Sequence, residues 1–288
     1  MKYHEGELEM QARAGVQMMA QRIGRGIRSE MPSIAQMFLQ EQMIAVAASI
    51  DENGAVWASI LAGQPGFMSA LDEYTVLIEA APAAGDPLAN NLAQNPQIGL
   101  IVIDFATRQR IRLNGTAEIH PDGFYVTIQQ AYSNCPKHIQ PREIDALFEP
   151  STIETQPQQA DRLTGAQEHW IAQADTFFIA SANGNAGADA SHRGGPSGFV
   201  RVLDSHTLEF PDYAGNTMFN TLGNIMANPH AGLLFLDFEH GKTLQLTGQA
   251  VIIWDEGRTA LFPGAQRVIE FHIEQAIEIT NAIPFHFI

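Results

Sequence analysis

The chain is short of several things. It has one cysteine, which excludes an intrachain disulfide and gives no sign of an oxidising compartment. Only three lysines occur, Lys2, Lys137 and Lys242, and 16 basic residues face 32 acidic ones for a formal charge of −16. A body this acidic repels phosphate backbones and anionic lipid, so nucleic-acid and membrane-surface binding are not expected. The longest apolar run, Met43 to Ile50, is far short of the roughly 20 residues that span a bilayer. The first residues are acidic and carry no apolar h-region, so the expectation is a soluble cytoplasmic protein. HExxH, GxSxG, GxGxxG and Walker motifs are missing, and neither Cys nor His pairs at zinc spacing, so no metal ligand set is expected.

What is present is internal repetition. Asn95-Pro-Gln-Ile-Gly-Leu-Ile-Val-Ile-Asp-Phe105 aligns with Asn228-Pro-His-Ala-Gly-Leu-Leu-Phe-Leu-Asp-Phe238 at an offset of 133. Over residues 95–119, 10 of 25 positions are identical, too many for chance, so the chain reads as a duplication. Upstream the register slips by one residue: Ala58-Ser59 matches Ala190-Ser191, and Gly66-Phe67 matches Gly198-Phe199.

Each copy reads as about six hairpin-connected strands and one helix, which suggests a small antiparallel barrel, a shape that hides strand edges. In the second copy the helix is expected over 216–227, with Asn216 as N-cap. The first copy is expected to start its helix at Asp86-Pro87. An N-terminal helical arm covers roughly 6–40, and a Pro- and Gln-rich linker at 150–159 leads into a helix at 161–174. The domain reading is therefore an arm over 1–38, a degenerate barrel over 39–150, linker and helix over 151–174, and a second barrel over 175–288.

The copies share a core but differ in polar residues, and those differences locate a candidate site. His192 and Arg193 stand where the first copy has Ile60 and Leu61. The corner Pro211-Asp-Tyr-Ala-Gly-Asn216-Thr217 faces an alanine-rich segment in the first copy. A helix start with free amides beside an arginine is an anion site, although His192 and Arg193 also read as a solvated face. In the converse direction, only the first copy has Asn134-Cys135-Pro-Lys137 after its last strand. Cys135 reads equally as a small buried filler or a reactive thiol, and Lys137 as a solvated turn residue or a ligand contact.

Taken together, the Ser-His-Arg-Gly-Gly turn, the corner and helix ending in Asn-Pro, the Gly-Leu-Leu-Phe-Leu-Asp-Phe strand and the Leu-Gln-Leu-Thr-Gly strand resemble the pyridoxamine 5'-phosphate oxidase-like flavoproteins. The likeness is to their duplicated-barrel subgroup. It covers the second copy strongly, the first more weakly, and the arm not at all. The resemblance implies a mainly β fold of two tandem FMN-binding split barrels forming a pseudo-dimer, with FMN in the groove between them. Carried over by position, the cofactor contacts would be Ser191, His192, Arg193, Pro211, Asp212, Tyr213, Asn216 and Thr217. A polar residue on the penultimate strand, Thr243 or Gln245, and Asn134, Cys135 and Lys137 from the first barrel would complete the set.

Two departures qualify the picture. The family's Arg-Lys pair at the helix start is Thr217-Met218 here, which leaves Arg193 and Lys137 to neutralise the phosphate. The C-terminal Ile283-Pro-Phe-His-Phe-Ile288 lacks the oxidase's substrate-binding arginine segment, so a vitamin B6 phosphate is not the expected substrate. The functional expectation is an FMN-dependent oxidoreductase acting on a small molecule, with no residue singled out as catalytic. The alternatives are a flavin-storing protein without turnover, or a barrel that takes haem or a deazaflavin. A homodimer, if formed, would use the amphipathic arm.

Overall fold

The computed structural model describes residues 3–147, 157–184 and 187–287. Three helices open the chain, α1 (Glu5–Arg13), α2 (Gln17–Gly24) and α3 (Ser33–Glu41). The first barrel follows with β1 (Ile44–Ile50), β2 (Val56–Ala62), β3 (Met68–Ala70), β4 (Thr75–Ile78), α4 (Leu88–Gln94), β5 (Gln97–Asp104), β6 (Gln109–His120) and β7 (Gly123–Ser133). After β8 (Ile144–Leu147), β9 (Gln158–Ala160) and α5 (Gly165–Gln173), the second barrel repeats the order as β10 (Thr176–Asn183), β11 (Gly187–Gly194), β12 (Arg201–Asp204), β13 (Thr207–Tyr213), α6 (Asn220–Ala227), β14 (His230–Leu236) and β15 (Thr243–Ile253). A short α7 (Glu256–Thr259), β16 (Ala265–Ile279) and β17 (Phe285–Phe287) complete it.

The two sheets have the same strand order, β2-β1-β5-β6-β7-β4-β3 and β11-β10-β14-β15-β16-β13-β12, with every pairing antiparallel. The duplicated split-barrel architecture read from the sequence is therefore present, with seven strands rather than six along each path because β3 and β12 add a short edge, and an eighth in the second sheet where β9 pairs with β16. The far tails also pair with one another, β17 against β8.

The apolar residues explain how the barrels join. Side chains alternate across a strand, so a strand buried on both faces is apolar throughout. In β1, Ala45 and Ala47 enter the core of the first barrel, whereas Ile44, Val46 and Ala48 pack with Phe178, Ala180 and Leu234 of the second. The duplicated glycines Gly99 and Gly232 mark where the barrels nearly touch. A Cβ on Gly99 would lie 2.5 Å from the Ala188 carbonyl oxygen, and one on Gly232 the same distance from that of Val56.

The arm consists of three helices, and α1 packs on α6 of its own chain: Glu7 accepts from Asn220 Nδ2 at 2.5 Å, and Gln11 Nε2 donates to the Met218 carbonyl at 3.0 Å. Two expectations need correction at element ends. The α6 helix starts at Asn220, because Thr217 and Phe219 sit at φ +63° and +62°, a left-handed conformation that a helix cannot contain. Asn216 is thus not its N-cap; its side chain instead accepts from Met218 N, closing a local turn. The 161–174 helix is Gly165–Gln173, bounded by a Thr164/Gln167 capping box. Most of the expected linker, residues 150–156, lies outside the described residues. No helix among the described residues is long and apolar enough to cross a membrane.

Candidate functional site

A cavity of about 400 Å³ opens where the second barrel's corner meets the first barrel's β6 and the segment after β7. Of the residues expected from the sequence, His192, Arg193, Pro211, Asp212 and Tyr213 line it. Asn216, Thr217, Asn134, Cys135 and Lys137 line it too. Ser191 is fully buried just behind the wall, where its hydroxyl accepts from Arg112 Nη2 at 2.5 Å and from Arg193 Nη1 at 3.4 Å.

Gln245 is elsewhere. Leu244 and Leu246 fill the second barrel's core, so the opposite face of β15 points at the first barrel, and Gln245 Nε2 donates to Ala58 O, Ser59 Oγ and Asp86 Oδ2. It meets the first barrel at the pseudo-symmetric position instead of lining the cavity. Its neighbour Thr243 does not line the cavity either.

The residues that the sequence reading passed over are mostly arginines. Arg110 and Arg112 lie on β6, facing away from the core residues Ile111 and Leu113. Arg112 crosses the interface to Asp189 at 3.0 Å, and Asp189 also accepts from Tyr132 OH at 2.8 Å and Asn114 Nδ2 at 3.2 Å. Arg110 donates to His192 Nδ1 at 3.0 Å and to the Cys135 carbonyl at 2.5 Å. With Arg13, Arg193, Arg267 and Lys137, six cations line the cavity against a single carboxylate, Asp212. A signal for two of them was available. At the offset of 133, Arg110, Arg112 and Asn114 stand where the second copy has Thr243, Gln245 and Thr247, three polar differences on one strand face.

The electrostatics follow from this crowding. Burial, with Arg112 and Arg193 close by, pulls Arg110 down to about 9. Burial, with Arg110 and Arg193 close by, pushes His192 well below the usual histidine range, so its ring is neutral. An arginine can only donate, so His192 Nδ1 is the acceptor and Nε2 carries the proton. That Nε2–H has no partner in the protein. Neither do Arg110 Nε, Thr217 Oγ1 or either polar atom of the Asn134 amide. Buried groups left unpaired cost about 1–3 kcal/mol each, so a ligand that pairs them gains that energy back.

Backbone fit holds the segment after β7 in place. A Cβ on Gly194 would lie 2.0 Å from the His138 carbonyl oxygen, so β11 ends flush against residues 134–140. His138 stacks on Tyr213 with ring centroids 5.0 Å apart and planes 18° apart. Among the described residues, no group of three or more His, Cys, Asp or Glu side chains is placed to hold a metal ion.

Comparison with known proteins gives a family. The sequence profile of the pyridoxamine 5'-phosphate oxidase family matches residues 31–154 and again 163–281. No curated protein matches the chain. Similar solved structures include HupZ of Group A Streptococcus, at 17% identity and TM-score 0.33, covering 39% of this chain and 90% of its own. An FAD-binding protein of Mesorhizobium loti has 12% identity and TM-score 0.30, covering 44% and 98%. A Clostridium acetobutylicum protein related to general stress protein 26, of the pyridoxinephosphate oxidase family, has 11% identity and TM-score 0.30, covering 43% and 91%.

Proposed function

Since this chain belongs to the pyridoxamine 5'-phosphate oxidase family, we propose that it binds one FMN in the inter-barrel cavity and acts as an oxidoreductase on a small molecule. At the level of the family, flavin binding and oxidoreductase-type chemistry are the common ground. FMN in particular is our reading, and one observation carries it. In a chain of net charge −16, Arg110, Arg112, Arg193 and Lys137 converge with a set of unpaired buried polar atoms on one part of one cavity.

The donor set suits a phosphomonoester joined to a flat ring. Arg193, Arg110, the His192 Nε2–H and the Thr217 hydroxyl would hold the phosphate, since charge-assisted donors in a dry site make the strongest contacts. Arg110 and Arg193 thus take the place of the missing Arg-Lys pair at the helix start. Asn134 offers an amide donor and acceptor, both unpaired, which match a heterocycle edge. The stacked His138 and Tyr213 line the cavity beside the corner.

When bound, FMN supplies two-electron transfer to or from the substrate. The protein's part is to bind, orient and set the field. Arg112, fixed by Asp189 and Ser191, stabilises negative charge that builds up beside the interface. The neutral His192 acts as a hydrogen-bond donor and not as an acid. Cys135 contributes its carbonyl oxygen, which fixes Arg110.

A titration tests this. FMN added to the purified protein should bind saturably with a shifted 450 nm band, and NADH or NADPH then asks whether the bound flavin turns over. No binding would overturn the flavin reading; binding without reduction by any donor would make the protein a flavin carrier.

A further inference from the structure

The flavin reading leaves one end of the cavity unexplained. Arg267, at the start of β16, is only 3% exposed. Its Nη2 donates to the neighbouring Gln266 side chain at 2.9 Å, but Nε and Nη1 are buried without a hydrogen-bond partner. The nearest carboxylate, Asp212, stands 3.5 Å from Nε and is shared with Arg193. One carboxylate between two guanidinium groups leaves positive charge over.

The surroundings add shape to that charge. The Arg267 guanidinium lies 4.8 Å from the Phe219 ring centroid and 5.0 Å from that of Trp254. On Trp254 also rests Arg13, 4.0 Å from the centroid. Arg13 arrives from α1, the helix latched to α6, so the arm completes this end of the cavity. The first barrel has nothing equivalent: in register, Arg267 corresponds to Asp122 and Trp254 to Pro121. Two guanidinium groups with free donors, set on aromatic faces, are the chemistry that recognises an oxyanion on a flat organic body.

We propose that Arg267, Arg13 and Trp254 form a second oxyanion site that receives the carboxylate or phosphate of the substrate, beside the flavin and not as part of it. This assignment of a substrate class, a flat organic acid, rests on the flavin reading for the identity of its neighbour. The site itself does not need the flavin.

The test uses the full chain, with and without FMN, titrated separately with benzoate and with inorganic phosphate while tryptophan fluorescence is followed. A saturable change with either probe in both forms is expected. Trp254→Phe should abolish the signal, and Arg13→Gln, an exposed position chosen to spare the fold, should weaken probe binding three- to tenfold while FMN affinity holds. Arg267→Lys should weaken it further, because a lysine keeps the charge and loses the fork. Strict competition between either probe and FMN would overturn the proposal by making this end the flavin phosphate site. So would a flat response in both forms. A tenfold preference for FAD over FMN that disappears in Arg13→Gln would also overturn it, since the oxyanion would then be the cofactor's own. If FMN fails to bind while apo-protein still responds to the probes, the flavin reading falls and the oxyanion site stands.

Discussion

Arg112 and Gln245 occupy the same place in the two copies, 133 residues apart, and reach across the same interface in opposite directions. Arg112 meets Asp189 and Ser191; Gln245 meets Ser59 and Asp86. One arm is cationic and borders an open cavity. The other is neutral and does not line that cavity. The duplicated position therefore carries unlike chemistry in the two copies, and of the pair only Arg112 lines the described cavity.

The Arg112–Asp189 pair is buried, so removing one partner should cost far more than removing both. Arg112→Met should destabilise the protein by about 3 kcal/mol, through the uncompensated Asp189 charge. Adding Asp189→Leu should restore most of the loss, a coupling read from denaturant midpoints in a double-mutant cycle. A double variant no better than the single would remove the pair from the account of the interface.

Arg193→Leu copies the first barrel's Leu61. FMN affinity should fall about 10- to 100-fold, or roughly 1.4–3 kcal/mol, with little change in melting temperature. Undiminished affinity would take Arg193 out of the phosphate site.

Gly194→Ala places a methyl where the His138 carbonyl oxygen stands. The 134–140 segment must move, carrying the Cys135 carbonyl off Arg110, so FMN binding should weaken and proteolysis after Lys137 should speed up. Equal proteolysis in variant and parent would show that the segment is not held by this contact.

How far the sequence led can be judged from particular residues. The repeat at Asn95 and Asn228 disclosed the architecture because two copies of one pattern constrain each other, and Gly99 and Gly232 recur for a physical reason, the close approach of the barrels. His192 and Arg193 were visible because they replace Ile60 and Leu61 of the first copy. Arg110 and Arg112 were not, since strand alternation tells which side chains share a face and not which groove that face borders. Gln245 was misplaced for the same reason. The left-handed Thr217 and Phe219, which shift the start of α6 to Asn220, leave no mark in residue type.

Asp86 gives the stability a pH dependence of defined sign. Burial raises its carboxyl from 3.8 to about 6, despite hydrogen bonds from Ser59, Leu88 N and Gln245. The folded state then holds a proton that the unfolded state has released, so stability is greatest below about pH 4 as far as this group is concerned and falls as pH rises to about 6. The loss should be about 2 kcal/mol, and Asp86→Asn should flatten that part of the curve in denaturant titrations at stepped pH. Glu7, raised to about 7 mainly by burial, acts in the same sense from 4.5 upward, so amide exchange in α1 should quicken across that range. A variant that keeps the parent's slope between pH 4 and 6 would clear Asp86 of the effect.

The central claim is one flavin in the inter-barrel cavity. Isothermal titration of the full chain with FMN at pH 7 tests it most directly. A saturating isotherm with one FMN per chain, weakened about 10- to 100-fold in Arg193→Leu and kept in Gln245→Leu, is the predicted result. Two FMN per chain, or no binding heat and no flavin spectrum at saturating concentration, would contradict it.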